Sequence, residues 1–204
     1  MLLTRDFYQR EDVVQIAKDL IGKVLVTNID GKISSGIICE TEAYSEREKG
    51  CHAYLGKKTA RNEVMFGEGG FSYVYLCYGI HHLFNVVTNV SGCAEAVLIR
   101  GIVPLDGIEH VLLRRKKQQL LPNISIGPGN MSVSLGIKTT HNTTDLLGDT
   151  IWIEDRAIEI DEGKLFCGSR IGIDYAGEDA LLPWRFWVDI NSWGYKNAKI
   201  VSTK

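Results

Sequence analysis

The sequence predicts an α+β fold: a single domain over residues 1–204, in which a curved, mostly antiparallel sheet is flanked by helices. Three observations predict it. Asp30-Gly31 separates two apolar runs, and such a dipeptide is a strong hairpin signal because the turn needs positive φ at both central positions. A second run, Phe71 to Asn89, is rich in aromatic and β-branched residues and folds back near Tyr78-Gly79. Apolar residues recur at helical spacing before the first hairpin and after the second. A chain of 204 residues is long enough to bury one sizeable core.

Residues 10–21 place Val13, Val14, Ile16, Ala17, Leu20 and Ile21 on one helical face, and Gly22 follows as a stop. Lys23 to Ile29 reads as a strand and Lys32 to Tyr44 as its longer return. Ser45 to Val64 is polar and turn-like. Gly67, Gly69 and Gly70 lead into the second hairpin. A three-residue loop there puts Tyr73, Tyr75, Leu83 and Asn85 on one face, whereas a two-residue loop flips the returning strand; three is preferred. Pro104 to Lys117 reads as a turn and then a helix with Ile108, Val111 and Leu112 inward, and Gln118 to Ile126 as a loop. Gly127-Pro128-Gly129 opens a short helix ending near Gly136, whose free N–H groups could hold a phosphate. Thr143 or Thr144 caps a further short helix. Thr150 to Glu154, Lys164 to Asp174 and Trp184 to Ile190 read as strands, with Trp184, Phe186 and Trp187 as core or sheet aromatics.

Composition narrows the class. Apolar and charged fractions are those of an ordinary globular protein. No apolar run approaches the length of about eighteen residues that marks a spanning helix. The N-terminus, MLLTRDFYQRED, meets acidic residues too early for a secretion signal. Five cysteines, with no CxxC, indicate reduced thiols and a cytoplasmic location. The net charge of -2 is unusual for a nucleic-acid binder, so any such role needs a local patch. Lys57, Lys58 and Arg61 form one candidate. The run Arg114, Arg115, Lys116, Lys117 forms another, but is more simply a solvated helix end where cations suit the dipole.

Candidate chemistry concentrates between Cys39 and Asn85. Alternate residues of a strand share a face, so Glu40, Glu42 and Tyr44 lie together, roughly 6.5–7 Å apart along the strand. Two carboxylates so placed fit an acid/base pair, or one working group beside one structural ion pair. The apolar approach Ile37-Ile38-Cys39 argues that this face is not plain surface. Cys51-His52 and His81-His82 lack the ligand spacing of metal sites, so no metal is expected. Tyr78 stands at an exposed turn tip, where an aromatic suits a wedge entering a base stack.

These residues carry a resemblance. ETEAY (Glu40–Tyr44), CHA (Cys51–Ala53), TARN (Thr59–Asn62), MF (Met65–Phe66) and YVYLCYG (Tyr73–Gly79) occur in order. FN (Phe84–Asn85), AVLIR (Ala96–Arg100), IGPG (Ile126–Gly129), RIGI (Arg170–Ile173) and PWRFWV (Pro183–Val188) follow them. The set resembles the bacterial form of the alkyladenine (3-methyladenine) DNA glycosylase family. The resemblance implies an enzyme that flips an alkylated or deaminated purine out of duplex DNA. It would hydrolyse the glycosidic bond and leave an abasic site without cutting the strand. Glu42 matches the general base and Arg100 the arginine that helps hold the attacking water and a phosphate. Tyr44 would stack on one face of the base, with His52 and Tyr75 on the other. His52 also matches a hydrogen-bonding partner of the base edge. Asn85 matches the pocket residue that disfavours guanine's exocyclic amine, and Tyr78 the side chain that fills the gap in the duplex. Glu40 is then structural. The implied partner is double-stranded DNA containing damaged purines. The implied protein is a monomer with no cofactor and no membrane contact, acting at the bacterial nucleoid. After GPG the family commonly has a basic residue and a leucine; Asn130-Met131 stand here, which puts a phosphate contact in question.

The chemistry of the residues agrees with those roles. Extruding a base costs a few kcal/mol, and aromatic stacking returns about 1–3 kcal/mol per base. An alkylated purine leaves readily, so one carboxylate suffices. No lysine at the site suggests a Schiff base. Two other functions fit less well: a non-catalytic lesion-binding protein, and a small-molecule glycoside or nucleoside hydrolase using Glu40 and Glu42. An intact Glu42 and Arg100 argue against the first. An exposed Tyr78 argues against the second, because a free nucleoside gives a wedge nothing to fill.

Overall fold

A computed structural model describes residues 1–190, so the domain expected over 1–204 extends beyond the described residues. After a single helical turn, α1 (Arg5–Tyr8), comes α2 (Val13–Asp19). Asp12 starts α2 by accepting the Gln15 N–H at 2.9 Å, satisfying one of the donors that a helix N-terminus leaves unpaired. Gly22, at φ +86°, follows it. The face carrying Ile16, Ala17 and Leu20 is buried.

The first hairpin joins β1 (Val24–Ile29) to β2 (Lys32–Ser45) through Asp30 and Gly31, both at positive φ as that turn requires. The second joins β3 (Ser72–Cys77) to β4 (His81–Thr88). Cys77 pairs with His81, so three residues connect the strands, as expected, and Tyr73 faces Asn85 while Tyr75 faces Leu83. Within the connection the turn is tighter than its length. Tyr78 and Gly79 both have positive φ, and the Ile80 N–H closes on the Cys77 carbonyl at 3.1 Å.

Between this hairpin and the helices lies β5 (Glu95–Pro104), buried along its whole length. A strand covered on both faces shows no alternation, so its sequence carries no periodic mark. Helices α3 (Ile108–Arg115) and α4 (Pro128–Leu135) follow, then β6 (Ile151–Glu154), β7 (Leu165–Gly168) and β8 (Arg185–Val188). The sheet runs β3-β4-β5-β2-β1-β6, with β8 paired to the far half of β2 and β7 to β8, every pair antiparallel.

The two sheet faces have separate roles. Val74, Phe84, Val86, Val97 and Ile99 point into the main core, which also holds Ile16 and Leu20 of α2 and Met131 and Leu135 of α4. Full burial of such side chains contributes about 1.5–3 kcal/mol each. The alternate residues Tyr73, Val87 and Ala96 face a smaller cluster with Cys51, Ala53 and Met65, under the polar 45–66 segment. The helices thus back one face and leave the other for the loops that build a cavity.

Three expectations need correction. The strand expected over Lys164 to Asp174 stops at Gly168, and the chain then leaves the sheet. No helix starts at Thr143 or Thr144. Thr143 adopts φ +66°, and the Thr144 hydroxyl donates to the His141 carbonyl at 3.0 Å, a local turn that competes with capping. The last strand, Arg185–Val188, is shorter than Trp184 to Ile190. Phe186 is buried, while Trp187 is half-buried and stacks on Phe166 at 5.8 Å. Elsewhere, α3 turns Val111 fully inward and Ile108 and Leu112 partly so. Arg114 is drawn into the fold, donating to the Ser34 hydroxyl at 2.7 Å and the Ser134 carbonyl at 3.2 Å. Among the described residues no helix is long and apolar enough to cross a membrane. All five cysteines are unpaired.

Candidate active site

The site begins at an irregularity in β2. Ile38 pairs with Ile102, Glu40 with Gly101 and Thr41 with Ile99, so Cys39 and Arg100 each lack a ladder partner. Bulges of this kind re-aim side chains. Here the Arg100 guanidinium bridges two carboxylates: Nε donates to Glu40 Oε1 at 3.0 Å and Nη1 to Glu42 Oε2 at 3.2 Å. Arg185 adds a second donor to Glu40 Oε1 at 2.7 Å. Burial opposes the Arg100 charge, but Glu42 and Glu40 outweigh it and raise its pKa above the ordinary arginine value. Glu40, Glu42 and Tyr44 share one face, as expected, while Thr41 turns to the opposite side and donates to the Ala17 carbonyl of α2.

Glu42 is completely buried. Its Oε2 also accepts the Tyr44 hydroxyl at 2.7 Å, and its Oε1 accepts the Ile171 backbone N–H at 2.8 Å. Burial, with the Glu42 charge beside it, holds the Tyr44 phenol pKa well above its usual value, so the phenol remains a donor. Three donors therefore orient one carboxylate. A carboxylate offers about four acceptor positions, which leaves room for one more.

Behind this floor sits a buried ion pair. Arg170 donates Nη1 to Glu48 Oε1 at 2.7 Å and Nη2 to Glu48 Oε2 at 2.8 Å. It also donates to the carbonyls of Ala43 at 2.9 Å and Asp179 at 3.0 Å. Its guanidinium lies over the rings of Tyr44 and Trp184, at 4.8 and 5.1 Å from their centroids. Neither Glu48 nor Arg170 stood out in the sequence as a site residue, although RIGI did as a motif.

In front of the floor is a cavity of about 360 Å³, within the range of about 300–1,000 Å³ for small-ligand sites. Tyr44, His52, Tyr75, Asn85, Arg100 and Tyr78 all border it. Glu42 does not; it stands behind Tyr44, Arg100 and Ile171, which do. His52 meets Tyr75 edge-on at 4.7 Å, and its Nδ1 shares a hydrogen bond with the Tyr73 hydroxyl at 2.9 Å. Asn85 donates to the Tyr73 carbonyl across the hairpin at 2.9 Å. Asn62, from the TARN motif, donates to the carbonyls of His52 and Lys57 at 2.9 and 2.8 Å and so ties the loop around the ring.

Burial and then the Arg61 charge lower the His52 pKa from 6.5 to about 4, so the ring is neutral near pH 7. The consequence for stability follows from linkage. Between pH 4 and 6.5 the unfolded chain binds a proton here that the folded chain does not, so stability falls as pH drops through that window. His52→Gln is expected to lose less stability than the wild type between pH 7.5 and pH 4.5. Urea unfolding of both proteins at the two pH values measures the difference.

The rim is polar and cationic on one side. Lys57, Lys58 and Arg61 are exposed; Lys58 pairs with Glu63 at 3.1 Å, and Arg61 borders the cavity with its guanidinium 5.7 Å from the Tyr75 ring centre. Tyr78 stands on the hairpin tip with 90% of its surface exposed and φ +50°. Asn130, in the first turn of α4, donates its side-chain amide to the Ile126 carbonyl at 2.8 Å, and Met131 fills the core. Among the described residues no three His, Cys, Asp or Glu side chains gather as metal ligands.

A family model described as methylpurine-DNA glycosylase matches residues 6–192. A Chlamydia felis protein named "Putative 3-methyladenine DNA glycosylase" is 44% identical over 192 residues, covering 93% of this chain and 97% of that one. Proteins of the same name from Chlamydia abortus and Clostridium tetani are 43% and 41% identical. These alignments cover 94% and 95% of this chain, and 100% and 98% of theirs.

Proposed function

The chain belongs to the methylpurine-DNA glycosylase family, and from that premise we propose that it is a monofunctional DNA repair enzyme. It extrudes a damaged purine from duplex DNA and hydrolyses its glycosidic bond, leaving an abasic site. The observation that carries this reading is the Glu42 carboxylate, held by Tyr44, Arg100 and Ile171 directly behind an aromatic cavity. The extruded base enters that cavity between Tyr44 and the His52–Tyr75 pair. The stacking offsets the cost of extrusion. Asn85, anchored on Tyr73, screens the base edge. His52, neutral and held through Nδ1, keeps Nε2 for a hydrogen bond with the base.

Water takes the remaining acceptor position on Glu42. The carboxylate draws its proton as the oxygen attacks the sugar C1′, and the electron pair of the glycosidic bond leaves with the base. The same negative charge offsets the positive charge that builds on the sugar. Arg100 holds Glu42 in place. The cationic rim at Lys57 and Arg61 supplies the local phosphate contacts that a net charge of -2 does not.

Release of free 3-methyladenine from methylated duplex DNA, with strands breaking only on later alkali treatment, is the expected result. Immediate strand cleavage would contradict the monofunctional assignment. Tyr78 provides an independent test, since its side chain is largely exposed in the free protein. Tyr78→Ser should leave the unfolding midpoint unchanged and weaken lesion-duplex binding by about tenfold or more, the value of one lost stacking contact. Titration of a fluorescent lesion duplex with both proteins measures it.

A further inference from the structure

We propose that the buried Arg170–Glu48 pair is a positioning device for the Glu42 carboxylate, acting through the Ile171 N–H and the Tyr44 ring. The inference rests on the reading of Glu42 as the base and names the groups that hold it.

The geometry is specific. Arg170 makes four hydrogen bonds to acceptors from three separate segments: Ala43 in β2, Glu48 in the following loop and Asp179 in the turn before β8. The pair therefore ties the loop after β7 onto β2 at the level of the catalytic floor. The residue next to Arg170 donates its N–H to Glu42 Oε1 at 2.8 Å. The ring on which Arg170 lies donates its hydroxyl to Glu42 Oε2 at 2.7 Å. Two of the three donors to Glu42 thus hang from one guanidinium. Gly50 allows the close approach, since a Cβ there would lie 2.9 Å from Glu48 Oε2 and 3.4 Å from Arg170 Nη2.

Stability alone does not account for the pair. A buried ion pair gains little over apolar side chains of similar volume, because desolvation cancels the attraction. Arg170 Nε is buried with no hydrogen-bond partner, which further lowers its value as a staple. The arrangement is instead what is needed to fix the direction of a carboxylate. A reacting group misplaced by about 1 Å can cost about a hundredfold in rate.

Arg170→Lys keeps the charge but loses the fork, and Glu48→Gln keeps the shape but loses the charge. Single-turnover release of base from methylated duplex, with enzyme in excess and normalised to folded protein, is expected to fall about a hundredfold in each. Affinity for the lesion duplex should stay within about threefold of wild type, the signature of an interaction that matters in the transition state. In a Glu42→Gln background the same changes should cost little more, because residues acting as a unit are not additive. Amide exchange supplies a readout independent of activity: Ile171 should lose protection while Ile99, in the core of β5, keeps it. Should either variant fail to fold, Glu48→Asp retains the charge and withdraws the carboxylate by one methylene, and the same two readouts apply. Wild-type rates with Ile171 still protected would overturn the inference and leave the glycosylase reading standing. No release by the wild type would overturn both.

Discussion

Glu42→Gln is expected to lower base release from methylated duplex DNA by about a thousandfold, within the range of about 10²–10⁴ for a general base. The substitution nearly preserves shape. A glutamine can still accept the Ile171 N–H, but it cannot take a proton from water or offset charge on the sugar. It also places a neutral amide against the Tyr44 hydroxyl and the Arg100 Nη1, both donors to Glu42 Oε2. Lesion-duplex affinity should survive, because the stacking residues and the hairpin tip are untouched. Release kinetics beside equilibrium binding separate the two effects. Equal release by both proteins would move the base role to Glu40, the neighbouring carboxylate held by Arg100 and Arg185. Lesion binding with no release by the wild type would favour a non-catalytic lesion-binding protein.

Arg100→Met should have the largest effect on stability, about 3–5 kcal/mol. Arg100 is the only cation hydrogen-bonded to Glu42 among the described residues, and Glu42 has no exposed surface. Without it a buried carboxylate keeps two neutral donors and no counter-charge, while Glu40 retains Arg185. Urea unfolding would show the shift as a lower midpoint at an unchanged slope. The double variant Arg100→Met/Glu42→Gln should regain part of the lost stability, since it removes the uncompensated charge, yet stay inactive. Simple additivity of the two unfolding energies would show that the charges do not interact as the geometry requires. Arg100→Lys is not a rescue, because a single ammonium cannot reproduce a guanidinium that spans two carboxylates.

Much of this site could be read before folding was considered. Alternation in β2 put Glu40, Glu42 and Tyr44 on one face because a strand has a fixed period of two. Asp30-Gly31 and Tyr78-Gly79 marked both hairpins because few residues tolerate positive φ. The loop length preferred at the second hairpin brought Tyr73, Tyr75, Leu83 and Asn85 to one face, and all four border the cavity. The resemblance supplied roles for seven residues, six of which line that cavity, with Glu42 directly behind it. Other features were not legible. β5 is buried on both faces and carries no periodic signal. The threonines at 143 and 144 bond to local backbone, which capping rules alone do not distinguish from a helix start.

The sequence by itself determined the two hairpins and the strand face that carries the Glu42 carboxylate, because turn chemistry and strand alternation act over a few residues. Tertiary structure alone decided how that carboxylate is held. Arg100 reaches Glu40 and Glu42 because β2 and β5 slip register beside Glu40. The Ile171 N–H reaches Glu42 across 129 residues of chain, and Arg170 reaches Glu48 across 122. A backbone N–H has no residue signature, and a long-range ion pair forms only when separate segments pack. Local patterns cannot encode either contact.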